Sequence, residues 1–284
     1  MHRCEVLAHP IDELIDPLSE LIAALSVRSR LPQIEVAVAD AAVELVFRVL
    51  DPPTDDDVAG LRQFGREQGL RIALQPGGLD SVYRIEPEGD LPPLSYRLAD
   101  FDIEIAFDAT DFVQINAGIN ERMVATAIDL LEVDSAHRVL DLYCGIGNFS
   151  LPLARRARSV VGIEGEQHQV ARATDNARRN GIENARFLRA DLSAIDGNES
   201  WLTDGCDRLL LDPARSGALE VVRNIGRLAP SRIVYVSCHP GTLARDAGHL
   251  VNEAGYRLLE AGIIDMFPHT AHVESIAVFE RRDL

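Results

Sequence analysis

The sequence predicts an α/β protein in which a doubly wound, mainly parallel sheet follows a small α+β domain. Three observations carry this. After residue 112, short apolar runs alternate with helical patterns, the βαβ rhythm of a parallel sheet. The first of those runs ends in a glycine-rich turn, Asp141-Leu-Tyr-Cys-Gly145-Ile-Gly147-Asn148-Phe149. Earlier in the chain the runs are brief and separated by Pro and Gly, as at Pro76-Gly77-Gly78. The expected division is 1–108 for the small domain and 109–284 for the larger one.

In residues 11–27, Leu14, Leu18, Leu21, Ile22 and Leu25 recur at helical spacing. Residues 34–50 alternate like two strands joined at Ala39-Asp40-Ala41, and Thr54-Asp55-Asp56-Asp57 caps a helix running towards Gly69. Short strands are expected over 70–74, 81–85, 94–98 and 101–107. A helix over 116–131 then leads into the strand opening at Arg138. Further strands are expected at 160–163, 185–188, 208–211 and 232–236, and two late ones, 258–264 and 274–279, close the sheet.

The 284 residues are 46% hydrophobic, enough for one large core and a smaller one. No stretch approaches the roughly 18 uninterrupted apolar residues of a membrane helix, and the first residues lack the apolar core of a signal peptide. A cytoplasmic monomer is expected. Cys4, Cys144, Cys206 and Cys238 are widely spaced with no CxxC pair, which suggests neither a zinc ribbon nor a disulfide framework. The net charge of −17 argues against a protein that grips a polyanion by charge alone.

The Gly-x-Gly turn falls where the first parallel strand gives way to a helix, the crevice in which open α/β sheets bind ligands. Glu164, ending the next strand, can accept hydrogen bonds from ribose hydroxyls, so a nucleoside cofactor is expected. The dinucleotide fingerprint wants Gly or Ala three residues after the second glycine, where this chain has Ser150, which disfavours NAD. The turn, Glu164 and Asp191 after the third strand resemble instead the S-adenosylmethionine site of class I methyltransferases. Cys144, beside the turn, reads as packing.

At the chemical end, Cys238 closes a buried strand just before a helix whose N-terminus favours a thiolate. Leu209-Leu-Leu-Asp212-Pro-Ala-Arg215 aims a carboxylate into the same crevice. No aromatic follows Asp212 to stack a base under attack at its amino group, so the target reads as carbon. C5 of uracil is too weak a nucleophile to be methylated directly; a thiolate must add at C6, and a base must later take the C5 proton. Asp265-Met-Phe-Pro-His269-Thr-Ala-His272-Val-Glu274 supplies carboxylate and imidazole candidates for that base.

Together with Phe112-Val-Gln114-Ile-Asn116 and Ser237-Cys-His-Pro-Gly-Thr-Leu-Ala-Arg-Asp246, these motifs resemble the bacterial RNA 5-methyluridine methyltransferases over almost the whole chain. They are most similar to the 23S rRNA branch. The resemblance implies Cys238 as nucleophile, Glu274 as base and Asp212 holding the uracil ring. It further implies Gln114, Asp141, Tyr143, Gly145, Asn148, Glu164, Asp191 and Asp212 around S-adenosylmethionine, with Phe112 and Gln114 towards the base. The bland alternatives are core packing for Phe112 and a surface strand position for Glu274. His269 and His272 are read as structural.

That branch carries a small RNA-binding barrel and a four-cysteine iron–sulfur cluster, of which only the position of Cys4 has a counterpart here. No bound cluster is therefore expected. The expected substrate is 23S rRNA, with transfer RNA as the nearest alternative. The rival class is a non-catalytic remnant that binds S-adenosylmethionine or RNA.

Overall fold

The computed structural model describes residue 2 and residues 4–282; Met1, Arg3, Asp283 and Leu284 lie outside the described residues. The chain divides into two compact units: Met1–Tyr96 with Ala106–Phe112, and Arg97–Ile105 with Val113–Leu284.

The first unit holds α1 (Ile15–Ala24), β1 (Gln33–Val38), β2 (Val43–Arg48), α2 (Asp55–Gln68), β3 (Arg71–Gln75) and β4 (Tyr83–Glu86). Its sheet runs β1-β2-β3-β4, antiparallel except for β2 beside β3. A parallel pair needs a crossover, and α2 provides it. Thr54 and Asp57 form a reciprocal capping box at its start, and Gly69 ends it at φ 68°. Alternate residues Leu45 and Phe47 of β2 and Ile72 and Leu74 of β3 pack with Leu61 and Phe64 of α2. The helix expected over 11–27 stops at Ala24, yet Leu25 and Val27 are buried. Their apolar spacing serves the core, not a continuing helix. β5 (Leu94–Leu98) and β6 (Ile103–Phe107) form a separate two-stranded sheet.

Beyond these come α3 (Ala117–Leu131), β7 (Arg138–Leu142), α4 (Ser150–Ala154), β8 (Ser159–Glu164), α5 (Gln167–Arg179) and β9 (Ala185–Arg189). They are followed by α6 (Ser200–Thr203), β10 (Arg208–Leu211), α7 (Leu219–Arg223), α8 (Ile225–Leu228), β11 (Arg232–Ser237), α9 (Pro240–Asn252), β12 (Tyr256–Ile264) and β13 (Glu274–Arg281). The sheet order is β12-β13-β11-β10-β7-β8-β9. β7 through β11 pair in parallel, and β12 and β13 are antiparallel, so the mainly parallel α/β sheet expected from the sequence is what forms. Strand order reverses at β7, between β8 and β10, which opens a crevice at the strands' carboxyl ends. Met123, Val124, Ala127, Ile128 and Leu131 of α3 are buried at helical spacing. Among the described residues no helix is long and apolar enough to cross a membrane.

Candidate active site

Backbone geometry builds the glycine-rich turn. Tyr143, Gly145 and Gly147 adopt φ values of 67°, 53° and 101°, folding the chain tightly between β7 and α4. At Gly147 a Cβ would also lie 3.1 Å from Leu151, so only glycine fits without strain. Glu164, at the end of β8, holds this turn: its carboxylate accepts the N–H of Gly145 at 3.1 Å, of Gly165 at 2.6 Å and of Glu166 at 3.2 Å. A carboxylate has about four acceptor positions, which leaves capacity for a ribose hydroxyl. Asp191 accepts from the N–H and hydroxyl of Ser193 at 2.9 and 2.6 Å, and these bonds hold its carboxyl below the usual range.

Tyr143, Glu164 and Asp191 come together on one cleft of about 310 Å³, whose lining also includes Ser216 and Gly217. The other residues expected at the cofactor are placed differently. Asn148 exchanges two side-chain hydrogen bonds with Asn120 of α3, at 2.9 and 3.0 Å, tying that helix to the turn. Gln114 is half-buried just ahead of α3. Asp141 lies beneath the turn, fully buried. One of its oxygens accepts from Ser150 and the other has no hydrogen-bond partner among the described residues. Burial pushes its carboxyl up to about 7, opposed by the Ser150 bond and aided by the charge of Glu164.

The reacting groups converge at the same end of the sheet. Leu211 pairs with Leu142 and Tyr235, and Ser237 pairs with Ser275, so Asp212, Cys238 and Glu274 stand one position beyond or before those pairs. Glu274 is 3% exposed, and burial pushes its carboxyl up to about 7. It is therefore no surface strand residue. Asp212 keeps a partly exposed face, yet desolvation, then the charges of Glu274 and Asp141, raise its carboxyl well above the usual range.

Cys238 departs from expectation. Its half-buried thiol is raised, not lowered: desolvation comes first, then the charges of Glu274 and Asp212, against a backbone hydrogen bond and the charge of Arg215. Desolvation, and then two nearby carboxylates, work against the partial charge of a helix end, whose Thr242 N–H is already taken by the His239 ring at 3.2 Å. Cys144, by contrast, is 4% exposed with its thiol held well above its ordinary value by burial, as befits packing.

Phe112 is 72% exposed, which excludes core packing. His269 and His272 are exposed as well; His272 Nδ1 lies 3.0 Å from the Arg215 guanidinium, and His269 sits at φ 65°. Sequence reasoning gave no role to Arg215, Asn120 or Asp246. Arg215 and Asp246 stand inside quoted motifs, the one signal that marked them; nothing marked Asn120.

A family model described as tRNA (uracil-5-)-methyltransferase matches residues 3–282. The chain belongs to that family. Among curated proteins, a 23S rRNA (uracil(1939)-C(5))-methyltransferase of Stenotrophomonas maltophilia is 52% identical over 99% of this chain and 63% of its own length. One from Xanthomonas axonopodis pv. citri is likewise 52% identical, over 98% and 62%. The chain thus spans under two thirds of the length of the curated relatives it matches. Among solved structures, the Pyrococcus abyssi tRNA (uracil-54, C5)-methyltransferase in complex with S-adenosyl-L-homocysteine superposes with a TM-score of 0.75 at 25% identity, covering 98% of this chain and 69% of that one. TYW2 of P. horikoshii, at 16% identity and a TM-score of 0.57 over 94% of each chain, shares the fold.

Proposed function

We propose that this chain transfers a methyl group from S-adenosylmethionine to C5 of a uridine in 23S ribosomal RNA. The carrying observation is the meeting of a thiol, Cys238, with two carboxyls raised by burial, Glu274 and Asp212, at the sheet end that also bears the Tyr143–Glu164–Asp191 cleft. The cleft residues fit a nucleoside cofactor: Glu164 and Asp191 are strand-end acceptors, and the glycine backbone admits close approach. When bound, S-adenosylmethionine supplies a methyl group on a sulfonium.

The chain's own groups do the rest. Cys238 Sγ, as thiolate, adds to C6 of the uracil, and the C5=C6 electrons move onto the ring carbonyl as an enolate, which makes C5 nucleophilic. Asp212, its carboxyl raised above the usual range by desolvation and then by the charges of Glu274 and Asp141, can hold the uracil by accepting from N3–H. Once C5 bears the methyl group, Glu274 takes the C5 proton. The electrons of that C–H bond re-form C5=C6, and the C6–S bond breaks to return the thiolate. An acid with a pKa near 7 suits that transfer. Gln114 is proposed to touch cofactor or base, and Phe112 offers an exposed ring suited to stacking on an unpaired base. We read the protein as a cytoplasmic monomer acting on RNA.

A transfer RNA substrate is the second reading, favoured by the likeness to the P. abyssi enzyme. Methyl transfer from labelled S-adenosylmethionine to unmodified 23S rRNA and to transfer RNA separates the two. Activity on either that vanishes in Cys238→Ala supports the mechanism. Binding of S-adenosylhomocysteine without any covalent adduct on 5-fluorouridine RNA would show a binding module instead.

A further inference from the structure

Asp246, at the end of the Cys238 motif, is fully buried on α9. One of its oxygens accepts the Tyr235 hydroxyl at 2.7 Å and the Ala218 N–H at 2.8 Å; the other accepts Arg245 Nε at 2.8 Å. The Ala218 N–H is also 3.0 Å from the Tyr235 hydroxyl oxygen. Arg245 goes on to donate from Nη2 to the Ser216 carbonyl at 2.9 Å. Between those two anchors Gly217 runs at φ 79°, pressed so closely to the helix that a Cβ would meet Arg245 Nη2 at 2.6 Å and Asp246 Oδ2 at 2.7 Å.

Three elements are joined by this one carboxylate. Tyr235 precedes Cys238 by three residues on β11, α9 opens two residues after Cys238, and the tethered loop runs from Asp212 to Ala218. Asp212 stands at one end of that loop, and Ser216 and Gly217 form a wall of the cofactor cleft at the other.

We propose that Asp246 is a positioning residue that, through the backbone of Ser216, Gly217 and Ala218, fixes the loop presenting Asp212 to the uracil and closing the cofactor cleft. Its consequence for catalysis rests on the methyltransferase reading; its geometry does not. Replacing the carboxylate by an amide sets an N–H₂ against donors that now all have an acceptor, and leaves at least one unsatisfied. A loop released in this way misplaces both its ends, and a displacement of about 1 Å at a reacting group can cost on the order of a hundredfold in rate.

The test uses the full chain with Asp246→Asn, with Arg245→Met, which keeps the buried carboxylate bonded to Tyr235 and Ala218, and with Glu253→Gln, just past the end of α9, as a control. Amide hydrogen exchange without any ligand should quicken by about tenfold or more over residues 213–220 in the first two variants, with β7 and β8 unchanged. S-adenosylhomocysteine should bind at least about fivefold more weakly, and adduct formation with 5-fluorouridine RNA at saturating cofactor should slow by about tenfold or more. Should Asp246→Asn not fold, Arg245→Met reads the same loop. Unchanged loop exchange in the folded variants, or faster exchange spread evenly over the chain, overturns the proposal. An unsubstituted chain that forms no adduct, with the loop result intact, would instead sink the methyltransferase reading.

Discussion

Glu274 and Cys238 each lie one residue beyond the Ser237–Ser275 pair, and the charge of Glu274 acts on the thiol. Above about pH 7 Glu274 is ionised, and its charge discourages the thiolate that the proposed mechanism needs first. Glu274→Gln should therefore speed alkylation of Cys238 at pH 8, read by peptide mass spectrometry, with desolvation still holding the thiol up. The same variant should stall after adduct formation for want of a base. Slower or unchanged alkylation would mean that the carboxyl does not act on the thiol. The pair also imprints stability. A carboxyl raised from its ordinary value to about 7 stabilises the fold fully below about pH 4.5, and that contribution is lost as pH rises through 7. Melting temperature should fall between pH 5 and pH 8, and Glu274→Gln should remove its own share of that slope, Asp141 keeping another, and melt higher at pH 8. The residue types at this site were legible in the sequence, because C5 chemistry demands a thiol and a base. The direction of the thiol's shift was not, because it sums desolvation in the folded chain with charges from separated stretches of it.

Element boundaries were legible where local chemistry sets them. Thr54 and Gly69 mark the ends of α2, and the structure shows both caps. Asp57 adds a link that the sequence did not reveal: it accepts the N–H and hydroxyl of Ser26 as well as the N–H of Thr54. Burial would raise its carboxyl, but these hydrogen bonds outweigh it and bring the pKa down to about 2. Asp57→Ala should cost about 2–3 kcal/mol in urea unfolding at pH 7, combining a lost cap with lost charge-assisted bonds. Because the pKa is depressed, that cost should be full above about pH 4 and shrink as pH falls towards 2. A loss confined to about 1 kcal/mol would reduce Asp57 to an ordinary cap. The parallel pairing of β2 with β3 was not legible, since alternation fixes which face a strand buries and says nothing of its neighbour. The helical reading of 11–27 ran too far for a related reason: Leu25 and Val27 are core residues that any buried conformation would satisfy.

Charge is a property of the whole molecule. Residues 1–112 hold 22 of the 45 acidic side chains but 9 of the 28 basic ones, and every basic residue of the chain is arginine. Such an excess of negative charge repels itself in the compact state, and salt screens that repulsion. Raising sodium chloride from 20 to 200 mM should therefore lift the melting temperature by about 2–4 °C. A fall would show that attractive ion pairs dominate instead. The proposed RNA binding should move the other way, weakening with salt along a shallow slope, because acidic side chains outnumber arginines in the chain.

By itself the sequence determined the alternation of strand and helix, the glycine turn after β7 and the residue types that C5 methylation requires. Each of these is local: it rests on side-chain periodicity, on backbone angles open to glycine, or on the chemistry of one motif. Only the tertiary structure decided that Tyr143, Glu164 and Asp191 share a cleft while Asp141 lies beneath it. It alone brought Asp212 and Glu274 to Cys238, turned the expected thiolate site into one where the thiol is raised, and gave Asp246 a loop to hold. Strand register and desolvation are set by neighbours far apart in the chain, and no local pattern encodes their sum.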